Sequence, residues 1–589
     1  MSKRSEAGPW TGRRLHFIAI GGAGMSGLAL IADRLGAEVT GSDRAESSYL
    51  ERLRSAGLEP RVGHDAAQVP EGAAVVISSA IAEDNPELAR AQERGQQIVH
   101  RGELLAEVCR EKRLIAVAGA HGKTTTAGLI AFALRDAGAD PAFLVGGELR
   151  GVGTGSSRGK DSSVGDGAAS GKGTTADDGA ASGEGTAAGD DALNGERTSA
   201  GEGTSNAAWG DGEWIVAEAD ESDGSFLELA PEIAVITNIE LDHHSHWSSE
   251  RELREAFDQF AAGARSVVIG EDPGSAGPPL AAASEPGSDR TQGQAGAENV
   301  AAAGNPASTE QAARIRFGIE GDSATGNRSQ LDLVAVVVST GVLGSTFTVR
   351  LPDGLELEVS LPIPGRHNVL NALAALAALY VVADGDRDQL AAFAASLGKF
   401  DGVVRRLERK GSRNGAEVFD DYAHHPTEVA AALATFTDPA PHRLIAVFQP
   451  HLYSRTKALA NRFGQALAQA DEIFVLEVYP AREGPVGELV GVSGRMVADA
   501  AADHAVGRPV WWLEDLDAAE RALRSHLTEG DVLVTLGAGD VFELADRLVD
   551  SEPTAEANGQ SHEKAVSGQN AAESAENTAS ADEATSDPE

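Results

Sequence analysis

Cysteine is almost absent: a single residue, Cys109, occurs among 589. One thiol excludes an internal disulfide framework and a multi-cysteine metal centre, which leaves Cys109 as a core side chain on a predicted helix. Long hydrophobic runs are also missing. No stretch of about 18 apolar residues free of charge occurs, so no membrane span and no membrane partner is expected. The N-terminus carries Lys3 and Arg4 but continues into Gly8, Pro9 and Trp10 rather than an apolar core, so no secretion signal is expected and the predicted location is cytoplasmic. Positive charge is the third shortage: 49 Lys and Arg face 90 Asp and Glu, a formal net charge of −41. Such a surface repels polyanions and excludes nucleic acid as a partner.

What is present is organised around residues 114–126, LIAVAGAHGKTTT. An apolar run of strand length, a glycine-punctuated turn and a helix opening on Lys-Thr-Thr make a phosphate cradle. In such a turn the backbone N–H groups of Gly119, Ala120, His121, Gly122 and Thr125 face inward, Lys123 brings a point charge to the β/γ-phosphates, and the Thr124 hydroxyl can ligate Mg²⁺. The spacing is G-x-x-G-K-T, shorter than the commonest form of the motif.

An earlier stretch, residues 15–43, has the grammar of a βαβ dinucleotide fold: a buried strand, a turn with Gly21, Gly22, Gly24, Ser26 and Gly27, and a second strand ending at Asp43. By itself that turn suits an NAD-dependent oxidoreductase as well as other nucleotides. Strands at 74–77, running into Ser78 and Ser79, and at 98–100 continue this unit to about Cys109.

Three segments carry almost no large apolar residue: from about Arg150 to Ala208, from about Gly274 to Ala312, and the tail after about Asp550. They cannot bury enough surface to offset the entropy of ordering and are expected to be solvated and disordered. The remaining ~450 residues correspond to roughly three domains. The expected division is an N-terminal Rossmann-like domain over 1–109, a central P-loop ATPase-type domain over 110–399, a C-terminal Rossmann-like domain over 400–549, and an acidic tail over 550–589, all α/β.

The strand at 214–217 leads into Glu218, Asp220, Glu221 and Asp223. So many carboxylates together call for a cation, and Glu218, nearest the strand end, is the favoured Mg²⁺ ligand; the other three suit a solvated acidic turn equally well. The strand at 233–237 leads to His243, a ligand to a second Mg²⁺ or a structural histidine. Asn368 and Asn371 lie three apart at a helix start, where both amides can read one edge of adenine. Of the adjacent Arg405 and Arg406, strand alternation lets only one clamp phosphate. In the last unit, polar clusters bearing Asp421, His424, His451 and Arg455 each follow a strand and are expected along one edge of a parallel sheet.

Taken in order, GGAGMSG, GAHGKTTT, EADESD, GRHNVLNA, DDYAHHPTE, FQPHLYSRT and LEVYPA closely resemble the Mur ligases, and among them the branch that adds L-alanine. The resemblance implies three domains and an ATP-dependent ligase of peptidoglycan precursor synthesis, a monomer or weak homodimer. The muramoyl carboxylate of UDP-N-acetylmuramate is phosphorylated by ATP and the amine of L-alanine then attacks. It further implies that the turn from Gly21 to Gly27 cradles the UDP pyrophosphate, that Thr124 and Glu218 hold one Mg²⁺ while His243 assists a second, and that Asn368 and Asn371 read adenine. Arg406 and Asp421 would reach the nucleotide, and His424, His451 and Arg455 would surround the alanine. Many relatives carry Arg where this chain has Leu452, which throws the anchoring of alanine's carboxylate onto Arg455. Ligases adding later residues use a carbamylated lysine after the histidine-bearing strand, and no lysine occurs between His243 and Arg265. A tripeptide-recycling relative and a catalytically silent nucleotide-binding module are the remaining readings.

The acidity itself predicts a salt response, because counterions screen self-repulsion of the compact state. Denaturation followed at increasing KCl should give a midpoint that rises from low to molar salt; a flat or falling midpoint would show that the acidic residues are already neutralised within the fold.

Overall fold

The computed structural model describes residues 8–152, 204–240, 247–270, 313–321, 331–437, 440–481 and 483–549. The expected polar segment 274–312, the tail from 550 and most of the segment after Arg150 lie outside these residues, as does His243.

The first unit alternates β1 (Arg14–Ile18), α1 (Ala23–Arg34), β2 (Glu38–Asp43), α2 (Ser48–Ser55), β3 (Arg61–Val62), β4 (Ala74–Ile77), α3 (Pro86–Glu93), β5 (Ile98–His100) and α4 (Arg101–Cys109). Its strands are parallel in the order β3-β2-β1-β4-β5. Leu15, Phe17 and Ile18 are fully buried, as a central strand covered on both faces requires. Strand order reverses beside β1, so the glycine turn that follows it opens on a switch-point crevice. Cys109 is buried on α4, and burial pushes its thiol up to about 12, consistent with a core role.

The second unit holds β6 (Arg113–Ala118), α5 (Lys123–Asp136), β7 (Ala142–Leu149), β8 (Ser205–Ala208), β9 (Trp214–Glu218), β10 (Ile233–Ile236), α6 (Glu250–Ala262), β11 (Ser266–Gly270), β12 (Ala313–Ile319), β13 (Leu333–Gly341), β14 (Gly344–Arg350), β15 (Glu356–Leu361), α7 (Arg366–Ala383) and α8 (Arg387–Leu397). They form a ten-stranded sheet in the order β15-β14-β13-β12-β11-β10-β6-β9-β7-β8. β6, which carries the phosphate loop, lies between β10 and β9, so two further strand ends flank the loop. The apolar α7 is long enough to cross a membrane by length and composition, yet 67% of it is buried inside the protein against α5, α8 and the sheet. A helix apolar on all sides is here a core helix.

The third unit comprises β16 (Glu408–Arg413), β17 (Ala416–Asp421), α9 (Pro426–Ala434), β18 (Leu444–Phe448), α10 (Tyr453–Leu467), β19 (Glu472–Val475), α11 (Gly494–His504), β20 (Val510–Trp512), α12 (Leu516–Leu523), β21 (Val532–Leu536) and α13 (Phe542–Leu548). The sheet order is β16-β17-β21-β18-β19-β20, with β17 to β20 parallel and β16 antiparallel at the edge. The polar clusters after β17 and β18 therefore emerge at one end of the sheet.

Two expectations are corrected. The polar insertion ends before Ala208: β8 pairs antiparallel with β7, and Ser205, Asn206 and Ala207 are buried. Composition alone reads this stretch as solvated, but Asn206 Nδ2 donates to Ala23 O at 2.6 Å and Ser205 Oγ donates to Ala207 O at 2.6 Å, so burial leaves these polar groups partnered. Arg405 and Arg406 also do not lie on a strand; they occupy a turn before β16 in which Arg405 has φ 61° and Leu407 φ 45°.

The seam between the first two units runs along α1. A Cβ on Gly27 would stand 2.9 Å from Leu144 Cδ2 and 3.1 Å from Ala207 Cβ. Gly27→Val should therefore destabilise the protein by about 1–3 kcal/mol through overpacking. Urea denaturation measures this, and an unchanged midpoint would show that the seam yields.

Candidate functional site

The loop after β6 passes twice through backbone that only glycine takes readily: Gly119 has φ 132° and Gly122 φ 81°. A Cβ would overlap the Thr237 hydroxyl at the first and the Asn371 amide at the second, so space as well as conformation demands glycine. Gly122 is the N-cap of α5, which aims the helix's free N–H groups into the loop. Thr124, Thr125 and Thr126 are buried directly behind it.

Lys123 folds back over its own loop. Its Nζ donates to Gly119 O at 2.6 Å, Ala120 O at 3.3 Å and Glu221 Oε2 at 2.9 Å. Burial opposes the charge, but Glu221, Asp220 and Glu218 outweigh it and hold the ammonium above its ordinary pKa. The carboxylates after β9 are thus individually compensated. Arg101 binds Asp220 at 2.6 Å and Asp223 at 3.5 Å, while Glu221, 2% exposed, takes Lys123. This is not a solvated acidic turn. Glu218 remains half-buried, with Oε1 accepting from Gly146 N at 2.7 Å and a further hydrogen bond to Thr124; burial raises its pKa. Thr124 and Glu218 together offer hard oxygen donors beside the phosphate loop, a set that suits Mg²⁺ completed by phosphate oxygens and water.

A cavity of about 320 Å³ opens from the loop toward α7 and the C-terminal unit. It is lined by His121, Gly122, Thr124 and Thr125 of the loop and α5, Asn368 and Asn371 of α7, and Arg406, Asp421 and Glu428 of the C-terminal unit. The amides of Asn368 and Asn371 do not both stand free: Asn371 Nδ2 donates to Asn368 Oδ1 at 3.1 Å and Asn368 Nδ2 to Pro364 O at 2.7 Å. Arg406 faces the cavity, whereas Arg405 is tied to Asp420 at 3.0 Å and to the carbonyls of Gly537 and Gly539. Burial lifts the Asp421 carboxyl to about 6 although Arg406 and the N–H groups of Leu407 and Ala423 favour its anion. His367, also lining the cavity, is pushed down to about 4 by burial and Arg406.

His121 joins two units. Its Nε2 lies 3.0 Å from Glu240 and its Nδ1 3.3 Å from Glu428, whose other oxygen accepts from the N–H groups of His424 and His425 at 3.0 and 3.2 Å. Beyond Glu428, Tyr422, His424, His451 and Tyr479 pack ring to ring at 5.4–6.1 Å. Arg455 is near enough to His424 to act with burial in lowering that ring's pKa. Leu452, the N-cap of α10, is buried with φ 69°.

In the first unit the glycine turn is partly engaged. Gly21 N donates to Asp43 Oδ2 at 2.9 Å, so Asp43 braces the turn as well as flanking it. Ser26 donates to Ala23 O and is buried, and it and Gly27 face β7 and β8 rather than the crevice. Gly21, Gly22 and Gly24 stay at the crevice, with Arg101 Nη1 3.4 Å from where a Cβ on Gly24 would stand. Ser78 and Ser79 follow β4 at the same end of the sheet and are half-buried and exposed.

Comparison with known proteins agrees with this three-part arrangement. Family models match in sequence over all three units: the Mur ligase family catalytic domain over residues 14–113, the Mur ligase middle domain over 204–379, and the Mur ligase glutamate ligase domain over 405–539. The UDP-N-acetylmuramate–L-alanine ligase of Streptomyces coelicolor is 39% identical over 91% of this chain and 97% of its own length. The chain belongs to the Mur ligase family. The corresponding ligase of Kineococcus radiotolerans is 40% identical over 91% of this chain and 95% of its own. The crystal structure of the UDP-N-acetylmuramate-alanine ligase from Thermotoga maritima superposes with a TM-score of 0.65 at 25% identity, covering 93% of this chain and 99% of that one.

Read as a Mur ligase, the chain holds several residues that pattern alone did not single out. Glu240 belongs to none of the motifs above, and Glu428, the last residue of DDYAHHPTE, is the N3 residue of α9, where a capping carboxylate is expected anyway. Arg101 carries no motif at all, and only its position just after β5 could have marked it.

Two predictions follow from the buried charges. Lys123→Ala leaves Glu221 without its cation and should destabilise the fold by about 3–5 kcal/mol, whereas adding Glu221→Gln should recover most of that loss; chemical denaturation of the single and double variants checks it. For Asp421 the folded pKa of about 6 lies above the unfolded 3.8. Its contribution to stability is complete below the unfolded value and is lost as pH rises through 6. Relative to Asp421→Asn, the wild type should lose stability as pH rises from about 4 to 6 and level off above that, and a constant difference would show that folding leaves the carboxyl's pKa unshifted.

Proposed function

We propose that this Mur ligase joins L-alanine to the muramoyl carboxylate of UDP-N-acetylmuramate at the expense of ATP, giving UDP-N-acetylmuramoyl-L-alanine, ADP and phosphate in cytoplasmic precursor synthesis. The observation that carries the reading is the cavity between the phosphate loop and the C-terminal sheet, where Glu428 links the loop residue His121 to the backbone of His424. A phosphoryl-transfer end and an amine-binding end thus share one carboxylate. Identities of 36–40% with alanine-adding ligases support the choice of amino acid.

In this reading the helix N-terminus of α5, the loop amides and Lys123 stabilise charge on the phosphoryl group as it passes to the muramoyl carboxylate. Thr124 and Glu218 would hold Mg²⁺, which when bound neutralises phosphate charge as a Lewis acid. Asn368, Asn371, Arg406 and Asp421 hold the nucleoside, and Gly21, Gly22 and Gly24 with Ser78 and Ser79 border the UDP. Arg455 and His451 anchor alanine's carboxylate. The pKa of His424, lowered by burial, leaves a neutral ring able to accept a proton from the incoming ammonium. Leu452 contributes no charge, so Arg455 bears that anchoring alone among the two positions.

Phosphate release should require ATP, UDP-N-acetylmuramate and L-alanine together. Turnover with a tripeptide in place of alanine would reassign the chain to a recycling ligase, and no release with any combination would dismiss ligation. Lys123→Ala/Glu221→Gln, folded by the criterion above, should lose about 10²–10³-fold in kcat. Arg455→Ala should raise KM for alanine at least about tenfold with a smaller change in KM for ATP.

A further inference from the structure

We propose that His121, Glu240 and His425 form a site for a divalent transition-metal ion of the zinc type, built across the phosphate loop and the C-terminal unit. One donor atom from each residue lies within 4.8 Å of the others. Two imidazole nitrogens and a carboxylate oxygen are a ligand set that favours zinc-like ions over Mg²⁺, and three protein ligands leave a fourth position for water.

The surrounding groups orient the donors. Glu428 stands 3.3 Å from His121 Nδ1 and keeps a proton there, so the proton that Nε2 shares with Glu240 at 3.0 Å is the one an ion would displace. The far oxygen of Glu240, Oε1, accepts from Thr427 Oγ1 at 2.9 Å and Arg462 Nη2 at 3.3 Å, which leaves Oε2 directed at His121. His425 is 1% exposed and its ring stacks on His121 with centroids 5.4 Å apart, so the third donor is held by packing. An ion here would fasten the C-terminal sheet to the loop. It would also sit at the edge of the nucleotide cavity that His121 and Glu240 line, so ATP and the ion should compete.

The test uses the full chain, free of nucleotide, titrated with Co²⁺ as a spectroscopic probe and then with Zn²⁺. Expected are visible bands of four- or five-coordinate Co²⁺ saturating at one equivalent, their loss on adding Zn²⁺, and at least about tenfold weaker binding in both Glu240→Gln and His425→Ala. Circular dichroism and melting of the metal-free variants separate a lost ligand from a lost fold, and Glu240→Gln keeps the side chain's shape if His425→Ala does not fold. Excess ATP should weaken Co²⁺ binding. Octahedral Co²⁺ spectra only, or an affinity unchanged in folded Glu240→Gln, would overturn the site. Neither readout depends on ligase turnover.

Discussion

One carboxylate holds the working parts of this ligase together. Glu428 gives one oxygen to His121 in the phosphate loop and the other to the backbone of His424 and His425. Because Glu428 begins α9, its position is set by the same capping arrangement that starts the helix. His121 and Glu428 both line the cavity between the central and C-terminal units. His121 answers with a raised pKa of about 9: burial disfavours its charge, and the hydrogen bonds to Glu240 and Glu428 more than restore it.

Around this contact, the carboxylates that follow β9 each meet a cation or a backbone donor. The motif after β9 concentrates acid where the sheet opens, and the protein divides it among Lys123, Arg101 and the Gly146 N–H. Lys123 in particular rests on the carbonyls of its own loop and on Glu221. In the proposed reaction an arriving phosphate would meet a cation already desolvated and held, which would lower the reorganisation needed as charge develops. The same arrangement makes Lys123 a stability element, whatever its part in the proposed reaction.

Much of this was legible in sequence for a physical reason: buried parallel strands read as apolar runs, and glycines that must adopt positive φ cannot be replaced. The strands expected at 74–77 and 98–100 fall there, and those at 214–217 and 233–237 are met to within one residue. Gly119 and Gly122 stand out in sequence because their backbone conformation and the neighbouring Thr237 and Asn371 admit nothing larger. β8 was hidden because Ser205 and Asn206 are polar and small; their burial depends on pairing with β7 and on the carbonyl of Ala23, far away in sequence. The turn at Arg405 was hidden because a left-handed arginine is held by Asp420 and the Gly537 and Gly539 carbonyls, none of which is local.

The sequence by itself determined the glycine turn between β6 and α5, the three α/β units and the family, since each rests on local spacing of glycine, apolar runs and short motifs. Only the tertiary structure decided which carboxylate each cation takes, which side of the first glycine turn faces solvent, and that His121 reaches Glu428 across 307 positions of chain. Those outcomes turn on distances between separate strands' ends, and electrostatic pairing acts through space, with no trace in the order of residues along one strand.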